Sequence, residues 1–501
     1  MRTLNRGLNR RVRLVSSDVS NRSLLETNGI NVIPDAERTG RPSELFWPWF
    51  AANIAVLGLS YGAWLLGFGI SFWQATLAGL IGSVFSFFLV GLVSLSGKLA
   101  SAPTMIVSRA AFGVKGNLLP TIVSWLLLVG WETVLVTLGA KATATVLGAY
   151  NVNTGTAKVL GLIVMVVLVA GGGILGFTVV MRMQTYITYA TLVLTVIYIG
   201  MTVKDVHWDK VAAIHSGPLQ AVIGALVFAM TGFGLGWVNS GADYSRYLPR
   251  TASSRGVVGW TTFGASIAPV VLVVWGLLLA GSDAKLSAAI SADPIGALTT
   301  LLPHGFLWAF LIVVLLGLAG GAVLDIYSSG LALLSAGLRI PRWTAAGIDA
   351  VIMSLGAIYL IWVAKDTFFT NFQGFLITLG VPIAAWCGIF LADVALRKGP
   401  LAEDDLFVSS GRYGAINIGA FLLMIVATVL GWGLVVNSAV GLTWQGYLLD
   451  PLGLRTNWAY ANLGVLLALA LGFIGQYLMG RSRVRAQEAL PIVGASSGVS
   501  I

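Results

Sequence analysis

The chain has 501 residues, of which 57% are hydrophobic and only 10% charged. Soluble domains carry roughly 25% charged residues, so the composition excludes an ordinary soluble fold and calls for a lipid surround. A single cysteine, Cys387, excludes disulfides and thiolate metal sites, and the three separated histidines, His207, His215 and His304, offer no metal cluster. The net charge of +10 comes with no nucleic-acid motif and follows instead from where the basic residues fall.

The first 47 residues are polar, with eight arginines and no apolar h-region. They predict a mostly disordered cytoplasmic tail without a cleavable signal. A membrane span needs about 20 apolar residues. Twelve runs meet that need: 48–70, 74–97, 119–140, 157–177, 185–203, 218–241, 256–281, 304–330, 343–363, 371–393, 414–436 and 459–479. The stretch 480–501 reads as a second polar tail. With the N-terminus inside, the two tails and the loops 98–118, 178–184, 242–255, 331–342 and 394–413 hold 23 of the 30 Lys and Arg residues. The other seven are Lys141, Lys158, Lys204, Lys210, Lys285, Lys365 and Arg455. By the positive-inside rule this predicts twelve spans in a plasma membrane, with both termini cytoplasmic.

Two spans carry the densest glycine signals. The first holds Gly58, Gly62, Gly67 and Gly69, and the sixth reads TGFGLGWVNSGADY, with Gly232, Gly234, Gly236 and Gly241. They lie five spans apart, as partners in a five-plus-five inverted repeat would. The glycines fit either broken helices, whose free amides and carbonyls line a cavity, or close packing of intact helices.

Ionisable groups in a span are costly and mark pathways. Glu132 lies near the middle of the third span, in VGWETVL, and Asp325 lies in the eighth, in AVLDIYSSG. Either acid can carry a proton or accept hydrogen bonds from an N–H-rich ligand; the plainer alternative is an interhelical hydrogen bond. Asp349, in the first turns of the ninth span, is read as structural. Asp243 and Asp393, each close to arginines, are read as structural pairs or part of an inner gate. Trp131 adjoins Glu132 and offers a stacking face, worth about 1–3 kcal/mol on a nucleobase. Phe233 and Trp237 are the second aromatic candidates. Asn53, Asn239 and Ser328 supply amide and hydroxyl contacts. A planar, hydrogen-bonding ligand explains their company.

Several segments together resemble the purine–cytosine permeases of the nucleobase:cation symporter family one. They are WFAANIAVLGLSYG, SRAAFGVKGNLLP, VGWE, GADYSRYLPR, DIYSSGL and FLADVALRKG, spread in order over residues 40–400. The resemblance implies an all-α membrane protein with the leucine-transporter fold. Residues 48–203 would form the first repeat, 204–393 the second, and 394–479 two peripheral helices. It also implies import of a base driven by a cation, with the ring held between aromatics of the third and sixth spans. Trp131 matches the third-span position. The sixth-span position falls at or beside Phe233, with Gly234 at the aligned place. Asp325 matches a polar position of the eighth span that is often an amide in relatives. Where sodium-coupled relatives carry hydroxyls, this chain reads GLAGGAVLD, and Gly320 and Gly321 have no side-chain oxygen.

The expectation is therefore a secondary active importer of cytosine or purine bases, coupled to protons in preference to sodium. Glu132 would be the first proton carrier and Asp325 the second. Helices 1, 2, 6 and 7 would rock against 3, 4, 8 and 9. The alternatives are import of another N-heterocycle (allantoin, a hydantoin, uracil or a pyridoxine-like vitamin), with sodium coupling open, and an integral-membrane enzyme, for which no catalytic motif is seen. No cofactor, metal or nucleic-acid partner is expected, and the oligomeric state stays open.

Overall fold

The computed structural model describes residue 26 and residues 28–364 and 367–491. Most of the expected N-terminal tail, the end of the C-terminal one, and Lys365 lie outside the described residues. Regular structure among the described residues is helical throughout. We label the main helices α1a (Phe46–Asn53), α1b (Leu57–Leu66), α2 (Phe72–Ala100), α3 (Leu118–Gly148), α4 (Thr154–Leu175), α5 (Phe177–Thr202) and α6a (Leu219–Gly232). They continue as α6b (Gly241–Ser245), α7 (Ser254–Ser282), α8 (Leu307–Ser335), α9 (Arg342–Trp362), α10 (Phe368–Leu396), α11 (Ile418–Trp432) and α12 (Leu463–Met479).

Among the described residues, nine helical stretches are long and apolar enough to cross a bilayer, α6a and α6b counted together, and eleven spans result if each of two bent pairs counts as one. The expected count of twelve therefore rests on α11, which has 15 residues. At 1.5 Å per residue it is about 22 Å long, against about 30 Å of hydrocarbon.

Both glycine-rich spans are broken, so packing of intact helices does not account for them. The two halves of α1 meet at 65°. α6a ends at Gly232 and α6b begins at Gly241, with only short 3-10 turns between them. In lipid a freed backbone group needs a protein partner. The Tyr61 hydroxyl of α1b donates to the Gly232 carbonyl at 3.1 Å. The Gly234 amide donates to Ser86 Oγ of α2 at 3.0 Å. A Cβ on Gly234 would run into the backbone of Ser86 and Phe87, so only glycine lets the break lie this close to α2.

Around the breaks, α1, α2, α6 and α7 pack as one group and α3, α4, α8 and α9 as another. α5 lies along α8 and α1a, α10 bridges α3 and α12, and α11 packs on α10 and α12. This is the five-plus-five arrangement with two added helices.

The described parts of the tails are held by specific contacts. Ile33 is buried and its amide donates to the Ser101 carbonyl at 2.8 Å. Glu26 sits between Arg246 (3.3 Å) and Arg342 (3.2 Å). Residues Arg481–Glu488 form a helix whose Gln487 accepts from Arg397 at 2.9 Å. Charged side chains fold these segments onto the basic face, a tertiary effect with no apolar period to announce it.

α1b and α7 touch backbone to backbone, with Gly276 against the Leu59 carbonyl. Gly276→Ala forces the helices apart and should cost about 1–3 kcal/mol, read as a lower melting temperature of the detergent-solubilised protein.

Candidate functional site

The expected residues gather around the two breaks, in two aromatic groups and one acidic group. Trp131, near the middle of α3, is 8% exposed. Its ring meets Phe372 and Phe375 of α10 edge-on, at centroid distances of 5.4 and 6.0 Å. Gly236, in the α6 break, lies against its indole nitrogen, 2.8 Å from where a Cβ would sit. Phe233 is packed on Tyr61 at 4.4 Å, and Tyr61 reaches Phe372 at 6.2 Å. Phe233 and Trp131 thus belong to one cluster, joined through Tyr61 and Phe372.

The second group lies beyond the break. Trp237 meets Trp49 of α1a edge-on at 5.7 Å, and Trp49 meets Tyr244 of α6b at 5.4 Å. The Tyr244 hydroxyl donates to the Leu324 carbonyl at 2.7 Å and lies 3.0 Å from Ser328 Oγ. Asn53 turns inward on its own helix, donating to the Trp49 carbonyl at 2.8 Å. Asn239 donates to Ser124 Oγ of α3 at 2.8 Å. Ser328, Asn53 and Asn239 therefore all hold internal bonds in this conformation.

Adjacent residues on a helix point about 100° apart, and here that separates two roles. Trp131 faces α10 and the α6 break, whereas Glu132 faces α8 and α9. Glu132 Oε1 lies 2.7 Å from Ser329 Oγ, at hydrogen-bond distance. The same hydroxyl is 2.8 Å from Asp349 Oδ2, and Trp125 Nε1 donates to Asp349 Oδ1 at 2.8 Å. Asp325 is wholly buried, near enough to act electrostatically on Glu132 and Tyr244.

Buried polar atoms are nearly always hydrogen-bonded. Five atoms here have no hydrogen-bond partner among the described residues: Trp131 Nε1, Glu132 Oε2, Asn239 Oδ1 and both oxygens of Asp325. They comprise one donor and four acceptors, chemistry suited to a ligand with several N–H groups and a carbonyl.

Two acids read as structural do have structural partners. Asp243 accepts from the Thr104 amide (2.8 Å) and hydroxyl (2.9 Å), and Asp393 pairs with Arg397 at 2.7 Å. The residues that sequence reasoning passed over are Trp49, Tyr61, Tyr244, Ser329 and Phe372. The first four stand inside the motifs that carried the resemblance, so their positions were marked although their contacts were not. Phe372 had no such signal. A groove of about 710 Å³ lies elsewhere, between α2 and α7 on an apolar outer face with Phe88 and Phe263 in its lining.

Comparison with known proteins agrees with this architecture. A family model described as "Permease for cytosine/purines, uracil, thiamine, allantoin" matches residues 32–449. The Bacillus subtilis (strain 168) protein YxlA, named provisionally as a purine-cytosine permease, is 24% identical over 407 residues, covering 78% of this chain and 84% of its own. Purine-cytosine permease FCY2 of Saccharomyces cerevisiae is 22% identical over 485 residues, covering 90% of this chain and 87% of its own. Among solved structures, Mhp1, a nucleobase-cation-symport-1 family transporter in a closed conformation with bromovinylhydantoin bound, superposes with a TM-score of 0.65 at 19% identity. It covers 93% of this chain and 100% of its own. At that identity the likeness is one of fold.

Tyr61→Phe keeps the ring between Phe233 and Phe372 but leaves the Gly232 carbonyl unpaired in the core. It should cost about 1–3 kcal/mol and lower the melting temperature, with little change in helix content by circular dichroism.

Proposed function

The chain belongs to the family of permeases for cytosine/purines, uracil, thiamine and allantoin, and is a membrane transporter, not an enzyme; from that premise we propose that it imports cytosine or purine bases by proton symport across the plasma membrane. The observation that carries the proposal is the set of buried polar atoms on Trp131, Glu132, Asp325 and Asn239 that have no hydrogen-bond partner among the described residues. Flat bases offer ring N–H groups and an exocyclic amine, which match those acceptors. Trp131 stacks the base. Glu132 and Asp325 accept from its N–H groups. Phe233, Trp237, Asn239, Asn53 and Ser328 line the remainder as the helices rearrange.

Proton coupling is supported by the acids. An uncompensated carboxylate in a dry interior costs several kcal/mol, and a proton removes that cost. Glu132 and Asp325 have no cationic side chain within hydrogen-bonding reach among the described residues. Gly320 and Gly321 bring no side-chain oxygen to the α1–α8 contact. The amide of Gln184 donates to the Gly320 carbonyl at 2.8 Å, so that oxygen is already engaged. In the cycle, Glu132 takes a proton from outside and the base docks on Trp131. The α1, α2, α6, α7 group then rocks against α3, α4, α8 and α9. Base and proton leave to the cytoplasm, where both termini lie.

A second reading keeps the fold and changes the ligand. Mhp1 has bromovinylhydantoin bound, which favours a hydantoin or allantoin as the runner-up substrate, with sodium as the alternative ion.

Uptake of radiolabelled cytosine tests both readings. We expect it to be abolished by a protonophore and competed by adenine or hypoxanthine. Competition by allantoin or a hydantoin alone moves the substrate to the second reading, and sodium-dependent, pH-insensitive uptake defeats proton symport. Trp131→Ala should weaken binding about tenfold or more, measured by equilibrium binding. Glu132→Gln should abolish accumulation while base exchange persists; normal accumulation would remove Glu132 from the coupling step.

A further inference from the structure

Ser329 has one hydroxyl proton and stands between two carboxyl groups. Its Oγ is 2.7 Å from Glu132 Oε1 and 2.8 Å from Asp349 Oδ2. A hydroxyl can donate once and accept twice. If both acids were ionised, one of these short contacts would set lone pair against lone pair. The bridge is consistent only when one of the two acids carries a proton. Trp125 Nε1 can only donate, and it donates to Asp349 Oδ1 at 2.8 Å. Asp349 then accepts from both Trp125 and Ser329. With the proton of the pair on Glu132, that acid donates to the free lone pair of Ser329.

Apart from the buried Asp325, which acts on Glu132 through space, no charged side chain on the packed helices is hydrogen-bonded to this pair among the described residues. Beside Glu132, α3 carries only Lys141, whose ammonium lies over the Phe368 ring at 5.5 Å. α4 carries only Lys158, and α8 only Asp325. Besides Asp349, α9 has Arg342, which is engaged by Glu26 and the Gly173 carbonyl. Asp393 of α10 is paired with Arg397, Arg182 of α5 is exposed, and His304 precedes α8 at its far end.

The line also has a direction. Trp125 is seven residues nearer the start of α3 than Glu132, about 10 Å at 1.5 Å per residue. Asp349 is near the start of α9, and α8 ends close by at Ser335, whose carbonyl accepts from Arg109. All three helices meet the basic face at these ends.

We propose that Asp349 is a second station for the coupled proton, reached from Glu132 through the Ser329 hydroxyl, and that this line discharges the proton toward the basic face. Glu132 gives its proton to Ser329 Oγ as Ser329 gives its own to Asp349 Oδ2. One O–H bond breaks and one forms at Ser329, and the negative charge moves from Asp349 to Glu132. Asp349 then releases the proton at the basic side. This deepens the reading of the protein as a proton symporter and rests on it.

The test uses the full-length protein in proteoliposomes with radiolabelled cytosine. Net uptake driven by a pH gradient requires the proton to be shed in every cycle, whereas exchange of internal for external base does not. We expect Asp349→Asn and Ser329→Ala to slow net uptake about tenfold or more while exchange stays at the wild-type rate. Ser329→Thr, which keeps the hydroxyl, should retain both. Wild-type net uptake in Asp349→Asn and Ser329→Ala, with Glu132→Gln defective, overturns the second station and leaves proton coupling at Glu132 standing. Normal uptake in Glu132→Gln as well defeats the symport reading itself. Loss of exchange together with uptake in Asp349→Asn and Ser329→Ala makes the bridge merely structural and also overturns the proposal. Infrared spectroscopy gives a readout independent of substrate. The wild type should show a protonated-carboxyl stretch at neutral pH that Glu132→Gln removes and Ser329→Ala shifts, and absence of that band overturns the shared proton.

Discussion

In the bilayer core no water completes an interrupted helix, so each amide and carbonyl freed by a break must find a partner within the protein. Everything at the centre of this molecule follows from meeting that demand twice. The end of α6a gives its carbonyl to Tyr61 of α1b, and the first amide of the break goes to Ser86 of α2. The partners that satisfy one broken span come from the other broken span and its neighbour. The same junction links Trp131, Phe372, Tyr61 and Phe233 in a chain of ring contacts. Opening such a junction toward one face or the other moves backbone, stacking surface and polar acceptors together, which is the coupling a transporter needs.

A second demand concerns charge. The basic face pairs its cations closely: Glu26 serves two arginines, and Asp393 pairs with Arg397. The interior acids are treated differently. Glu132 and Asp349 share a serine, and Asp325 has no partner among the described residues. Buried charges that lack counterions are expensive, and they persist where a moving proton or ligand relieves them for part of a cycle. The contrast between a paired face and an unpaired centre is what sets the interior acids apart from those of the basic face.

Much of the architecture was legible from residues alone. Apolar run length located all the long helices, because a 30 Å hydrocarbon layer sets a length that composition must meet. Alternation of Lys and Arg supplied an orientation, and glycine density five spans apart pointed to both breaks. What failed was local. α11 is only 15 residues long although the apolar run is longer, since hydrophobicity reports tolerance for lipid and not where hydrogen bonding stops. The tails read as mostly disordered because they are polar, yet the described parts of them dock through buried ion pairs that no periodicity encodes.

The sequence by itself determined that this is a polytopic helical transporter, that its first and sixth spans are candidates to break, and that Trp131, Glu132 and Asp325 are unusual inside a membrane. Cost explains this: in lipid, a carboxylate or a helix break is too expensive to be incidental. Only the tertiary structure decided what those residues face. One residue of helical rotation sends Trp131 to α10 and Glu132 to α8 and α9. Asp349, which looked structural at the start of its span, meets Glu132 across Ser329. Such meetings depend on the rotation and height of three packed helices, quantities that distant side chains set jointly and that no single span carries in its own residues.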